Sequence, residues 1–181
     1  MKLFRFFAAI TIIMAIIGTH ARAEDYKVFQ AVTIGKSPVK SGFTGTLKAR
    51  GMVLGDWAYD VLRNRRVTIA NTESRVKLVK ISIEDLGFNK GASLYKIYRR
   101  AKELGLQLCP AEVGPRLRLQ YTNQPLDEWL VIAMEGIKSS DDGLGLFMVG
   151  RGGMGLWLLG CNGDPDAIWN KNAHFLFVLP Q

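Results

Sequence analysis

Cations are the residues of this chain best placed to do chemistry. Arg116 and Arg118 alternate with Leu117 and Leu119, so an extended backbone would put both guanidinium groups on one face, about 6 to 7 Å apart. Like charges that close repel unless an anion or a neighbouring acid offsets them. Lys96, Arg99 and Arg100 precede them closely in sequence. Together the five residues make a candidate surface for an anion, since guanidinium forks match carboxylate and phosphate geometry. The alternative for the same arginines is pairing with Glu112 or Glu128 inside the fold.

Carboxylates offer a second chemistry. Glu112 sits between Cys109-Pro110 and Gly114-Pro115, a stiff loop that can hold one acid in place, with Glu128 or Glu135 as the second acid of a hydrolytic pair. Acids in loops also serve as caps and ion-pair partners. Cys109 and Cys161 are the only cysteines, 52 positions apart. In an oxidising compartment an even pair is a disulfide candidate, worth about 4 kcal/mol on loop entropy, and the other reading is two buried thiols packed as small hydrophobes. His174 is the only histidine after the first 23 residues. A dyad of cysteine and His174 would vanish if the thiols were oxidised, and a lone histidine at a strand start is ordinarily structural. One histidine and two separated cysteines do not supply the ligand spacing of a zinc site. Gly150-Arg151-Gly152-Gly153-Met154-Gly155 satisfies G-x-G-x-x-G, but Leu156-Trp157-Leu158-Leu159 continues as a strand. A dinucleotide fingerprint has to open a helix there, so a hairpin turn is expected. No metal, cofactor or catalytic set is indicated.

These residues belong to a chain whose start reads as a secretory leader. Lys2 and Arg5 flank the beginning of an uncharged run from Phe6 to Gly18, followed by Thr19-His20-Ala21-Arg22-Ala23, the order of a cleavable signal peptide over 1–23. Cleavage after Ala23 would leave Glu24 first. Thirteen residues of helix span about 20 Å against a hydrocarbon core of about 30 Å, and no later stretch approaches 18 apolar residues. The expectation is therefore a periplasmic or secreted protein with no stable membrane insertion after cleavage. Residues 24–181 have the length of a single domain. They hold 21 Lys and Arg against 16 Asp and Glu, net +5. Segment 24–118 is net +9 and segment 119–181 net −4, an asymmetry that suits an anionic partner or simply a solvated face.

The elements that position these residues follow from periodicity. Val28 to Ile34 reads as extended, and Gly35 through Ser37-Pro38 to Ser41-Gly42 as turn-rich without helix signal. Asp56 to Leu62 has helical spacing, and Val76 to Ile83 reads as a buried strand. A second helix runs from Ser93 through Leu94, Ile97, Ala101 and Leu104 to a Gly105 stop, with Lys96, Arg99, Arg100 and Lys102 on its other face. Short extended runs follow at Arg116 to Tyr121, Glu128 to Met134, Leu144 to Val149, Met154 to Leu159 and His174 to Leu179, separated by turn residues. The expected fold is α+β, with about five C-terminal strands in an antiparallel meander and two helices packed on one face.

Leu108-Cys109-Pro110-Ala111-Glu112-Val113-Gly114-Pro115, Leu117-Arg118-Leu119-Gln120-Tyr121, Gln124-Pro125, Glu128-Trp129-Leu130 and Ile132-Ala133-Met134-Glu135 together resemble a family of small uncharacterised bacterial proteins. Gly55-Asp56-Trp57-Ala58 and Glu84-Asp85-Leu86-Gly87-Phe88 fit its earlier part, so the likeness covers most of residues 28 to 179. The resemblance implies one coherent domain and no established activity or catalytic residue. The leader and the glycine-rich Gly143 to Gly155 depart from the family pattern. Two function classes are open. One is an exported binding or interaction protein whose basic face meets an anionic envelope component or another protein. The alternative is an envelope-polymer hydrolase using Glu112 and a second carboxylate. Nucleic-acid binding ranks below both, because a leader takes the protein away from most nucleic acid.

Overall fold

A computed structural model describes residues 23–36 and 40–180. The leader expected over 1–23 lies outside the described residues but for Ala23, as does Ser37-Pro38 of the expected turn. A 3-10 turn at Ala23–Asp25 leads into β1 (Gln30–Ile34), α1 (Gly42–Ala49), β2 (Val53–Leu54), α2 (Asp56–Arg63) and β3 (Ser74–Ser82). Then come β4 (Ala92–Ser93), α3 (Leu94–Glu103), α4 (Val113–Gln120), β5 (Trp129–Ile132) and β6 (Ile137–Lys138). β7 (Leu144–Gly152), β8 (Gly155–Asn162), β9 (Ile168–Trp169) and β10 (His174–Leu179) complete the order.

Eight strands form one mixed sheet curled into a half-barrel, in the order β1-β3-β10-β5-β7-β8-β2 with β6 paired to β7. β4 and β9 pair separately. The C-terminal strand enters the middle of the sheet: Phe175 lies between Ile81 of β3, antiparallel, and Val131 of β5, parallel. β2 is also parallel to its neighbour β8. This corrects the expected five-strand antiparallel meander with two helices on one face. The sheet is mixed and larger, and the four α-helices among the described residues cover both faces. The meander logic holds only locally, where β7 and β8 form a hairpin closed by Gly153 and Met154, with Gly152 opposite Gly155. Gly155 has φ +117°, which a side chain would strain. The G-x-G-x-x-G pattern is thus a hairpin, and a strand follows it.

Alternation along the strands divides the core in two. Leu176, Ile132 and Phe147 share the face covered by α2 and α4, where backbones approach closely. A Cβ on Gly114 of α4 would lie 2.6 Å from the Phe147 ring, and one on Gly160 of β8 would lie 2.8 Å from Trp57 of α2. The opposite face presents Phe175 and Phe177 to α3, whose Tyr98 meets them edge-on at 6.5 and 6.2 Å between ring centroids. Trp169 adds an edge contact to Phe175 at 5.0 Å.

The segment expected as a strand at Arg116 to Tyr121 is the helix α4. Val113 and Leu117 fall one turn apart in the core, and Pro115 lies in the first turn, where its missing N–H has no intrahelical partner to lose. Every residue from Val113 to Leu119 is buried. A helix surrounded by protein shows no polar stripe, so the Arg-Leu-Arg-Leu alternation reads as a strand when taken alone. α1 begins at Gly42, where the expected turn-rich stretch ends, and runs through residues for which the sequence predicts no element.

Candidate functional site

The five candidate cations part company in the structure. Arg116 and Arg118 are buried in α4, while Lys96 and Arg99 are exposed and Arg100 half-buried on α3. The expectation that Arg116 and Arg118 share one exposed face is corrected: both are inside, held by different partners.

Glu112 and Arg116 lie one helical turn apart and form an ion pair at 3.4 Å. The carboxylate is 1 % exposed. Its Oε2 accepts from the Gly35 amide at 3.0 Å and its Oε1 from the Ala70 amide at 2.8 Å. Arg116 Nη2 donates to the Gly35 carbonyl at 2.7 Å, and its guanidinium lies 5.0 Å over the Phe43 ring. Gly35 itself turns at φ +90°, and a Cβ there would meet the Thr72 carbonyl oxygen at 2.1 Å. The pair therefore ties the exit of β1 and the loop before β3 to α4. A carboxylate so enclosed has no open side toward a substrate.

Arg118 is fully buried. Its Nη1 donates to Gln124 Oε1 at 2.6 Å, the Gly150 carbonyl at 3.1 Å and the Trp157 carbonyl at 3.4 Å, and its Nη2 to the Tyr121 carbonyl. Gln124 Nε2 passes the network on to the carbonyls of Glu128 and Val149 at 3.1 and 3.3 Å. Among the described residues no carboxylate pairs with Arg118, and burial lowers its guanidinium to about 10. Carbonyl dipoles from α4, β7 and β8 stand in for a counter-ion. Arg116 and Arg118 are therefore parts of the scaffold.

α3 keeps its cations outside because its apolar residues are spaced for one face. Leu94, Ile97 and Ala101 are buried, which turns Tyr95, Lys96, Arg99 and Lys102 outward. Glu103 is the single acid of this helix, 3.6 Å from Arg99 and 3.4 Å from Arg100. Arg100 also donates to the Leu86 carbonyl at 3.4 Å. Lys96 and Lys102 have no ion pair among the described residues. Arg99 lies 5.9 Å from the ring of Tyr95, which is 59 % exposed.

Beside these cations α3 borders a cleft of about 490 Å³. Tyr95, Tyr98, Leu106, Leu108 and Phe177 give it an apolar wall, and Arg99 and Lys102 stand on its rim. Tyr98 is fixed at the base: its hydroxyl donates to the Met134 carbonyl at 2.9 Å and accepts from the Met134 amide at 3.2 Å. Burial pushes this phenol far up, so it stays neutral. The cleft can hold an apolar body while offering two cations to an acidic end, a combination within the size range of small-ligand sites.

The remaining candidates fall elsewhere. Cys109 and Cys161 are free thiols, which corrects the expected disulfide. Cys109 lies against Ala133, just past β5, and the middle of β10, its amide on the Ala133 carbonyl and its thiol 3.3 Å from the Leu176 carbonyl. Cys161 is in β8, with β7 between it and β5. Burial pushes the Cys161 thiol to about 12 and Cys109 further still, so neither is a nucleophile. Glu135 is exposed. His174 and Glu128 border a separate cleft with Trp129 and Trp169. Sequence reasoning reached the cations of α3 but missed the cleft wall, because Leu106, Leu108 and Phe177 join it only through the fold. The one local signal was Tyr95, an aromatic on the polar side of an amphipathic helix.

Comparison with protein-family models, with curated proteins and with solved structures finds no match to this chain.

Proposed function

We propose that the mature chain is an exported binding protein, kin to the small bacterial proteins it resembles, and that it takes an anionic amphiphile in the α3 cleft. The apolar body packs on Tyr95, Tyr98 and Leu108, and the acidic end meets Arg99 and Lys102. One observation carries this reading: an apolar wall and two rim cations line a single cleft. The leader-like N-terminus supports export, and an envelope supplies ligands of this chemistry. The alternative of an envelope-polymer hydrolase draws no support from Glu112, whose carboxylate is buried among three donors.

Calorimetric titration with decanoate, decanol and acetate tests the pairing of the two features. Decanoate should bind saturably and weaken with added salt, because rim charges are screened within about 10 Å at 0.1 M. Decanol should bind about tenfold more weakly, a difference of about 1.4 kcal/mol for the charge contact, and acetate not measurably. Equal affinity for decanol and decanoate would remove the cations from the account, and no binding of either would remove the cleft.

A further inference from the structure

A second cleft, of about 340 Å³, is built on different chemistry. Its floor is Trp129, and Trp169, Asp127, Glu128, Asn172 and His174 surround it together with Lys80. Trp129 of β5 stands opposite Gly150 of β7. A Cβ on Gly150 would lie 2.0 Å from Cε3 and 2.2 Å from Cζ3 of the indole, and one on Gly152 would lie 3.7 Å from Cζ2. The indole thus lies flat across the backbone of the next strand, on a bed that only glycine leaves open. It remains 37 % exposed. A large apolar ring pinned on one side and open on the other is a stacking platform.

The groups around it are polar and fixed. Glu128 is held between Lys80 at 2.9 Å and the Tyr121 hydroxyl, which donates at 2.8 Å. Asp127 adopts φ +62°, a left-handed conformation in which glycine is at ease and a side chain is strained. Its amide is bound to the Arg151 carbonyl at 2.8 Å, so the turn is set, and the position nevertheless carries a carboxylate. Trp169 adds a second indole to the wall. The two carboxylates of this cleft, Asp127 and Glu128, outnumber its one lysine, Lys80, which disfavours anions and sets it apart from the cleft beside α3.

We infer that this cleft binds a neutral saccharide, with the C–H face of one pyranose ring on Trp129. Its hydroxyls meet the Asp127 carboxylate, the Asn172 amide and the His174 imidazole. The inference is independent of the amphiphile reading, since no residue lines both clefts.

The test is a titration of the full mature chain with cellotriose and with the β-1,4-linked trimer of N-acetylglucosamine, followed by tryptophan fluorescence and calorimetry. At least one trimer should bind saturably, Trp129→Phe should keep affinity within about threefold, and Trp129→Ala should lower it about tenfold. Asp127→Gly relieves the left-handed strain, so it should fold at least as stably as the parent while binding about tenfold more weakly. The Asp127→Gly result decides the matter even if Trp129→Ala does not fold. The inference is overturned if neither trimer binds the parent protein, or if Asp127→Gly binds as tightly as the parent.

Discussion

α3 and α4 are separated by nine residues, both carry two arginines, and they use them in opposite ways. On α3, Arg99 and Arg100 share one exposed acid, Glu103, and Arg99 faces solvent beside an apolar cleft. On α4, Arg116 has a buried carboxylate and Arg118 a cage of carbonyls. The difference lies in what surrounds each helix. α3 has one apolar stripe and covers the Phe175 side of the sheet, so its polar side must meet water. α4 is enclosed by β1, β7 and β8, and an arginine placed there persists only where backbone acceptors converge on it. Net charge in the sequence therefore overstates the charge available to a partner.

Breaking the inward set should cost most. Arg118→Ala strands Gln124 and the carbonyls of Gly150 and Tyr121 without a donor, and is expected to destabilise by about 4 kcal/mol in urea denaturation. A loss below about 1 kcal/mol would mean that the carbonyl cage contributes little to the fold. Glu112→Gln is the next step down. It keeps the shape but leaves Arg116 without its carboxylate, and turns one acceptor into a donor facing the Gly35 or Ala70 amide. About 2 kcal/mol is expected by the same measurement, with the Gly35 and Ala70 segments exchanging amide hydrogens faster than the rest of the sheet. Uniform exchange across both segments would show that Glu112 does not tie them to α4.

How much of this is legible in the sequence follows the same division. α3 declares itself through Leu94, Ile97 and Ala101 and the Gly105 stop, because an amphipathic helix writes its surroundings into its period. α4 does not, since burial on all sides erases the stripe and Arg116-Leu117-Arg118-Leu119 copies a strand. α1 is hidden by Gly42, Thr44, Gly45 and Thr46, all weak helix formers, in a stretch held by packing of Phe43 and Leu47. The sheet order escapes local reading altogether, because His174 to Leu179 reaches its place only by pairing with β3 and β5, residues far off in sequence. The cysteines fail for the same reason: an even count carries no distance, and the two thiols are free. At the site, the cations of α3 are legible, and Phe177 becomes part of the cleft only once β10 is in place.

The claim that α3 holds the binding cations and α4 the structural ones is tested most directly with the double variant Arg99→Gln/Lys102→Gln, measured for decanoate affinity and for stability on the same sample. The account predicts affinity about tenfold weaker with loss of its salt dependence, and stability within about 0.5 kcal/mol of the parent because both side chains are exposed. Unchanged decanoate affinity in a fully folded double variant would contradict it.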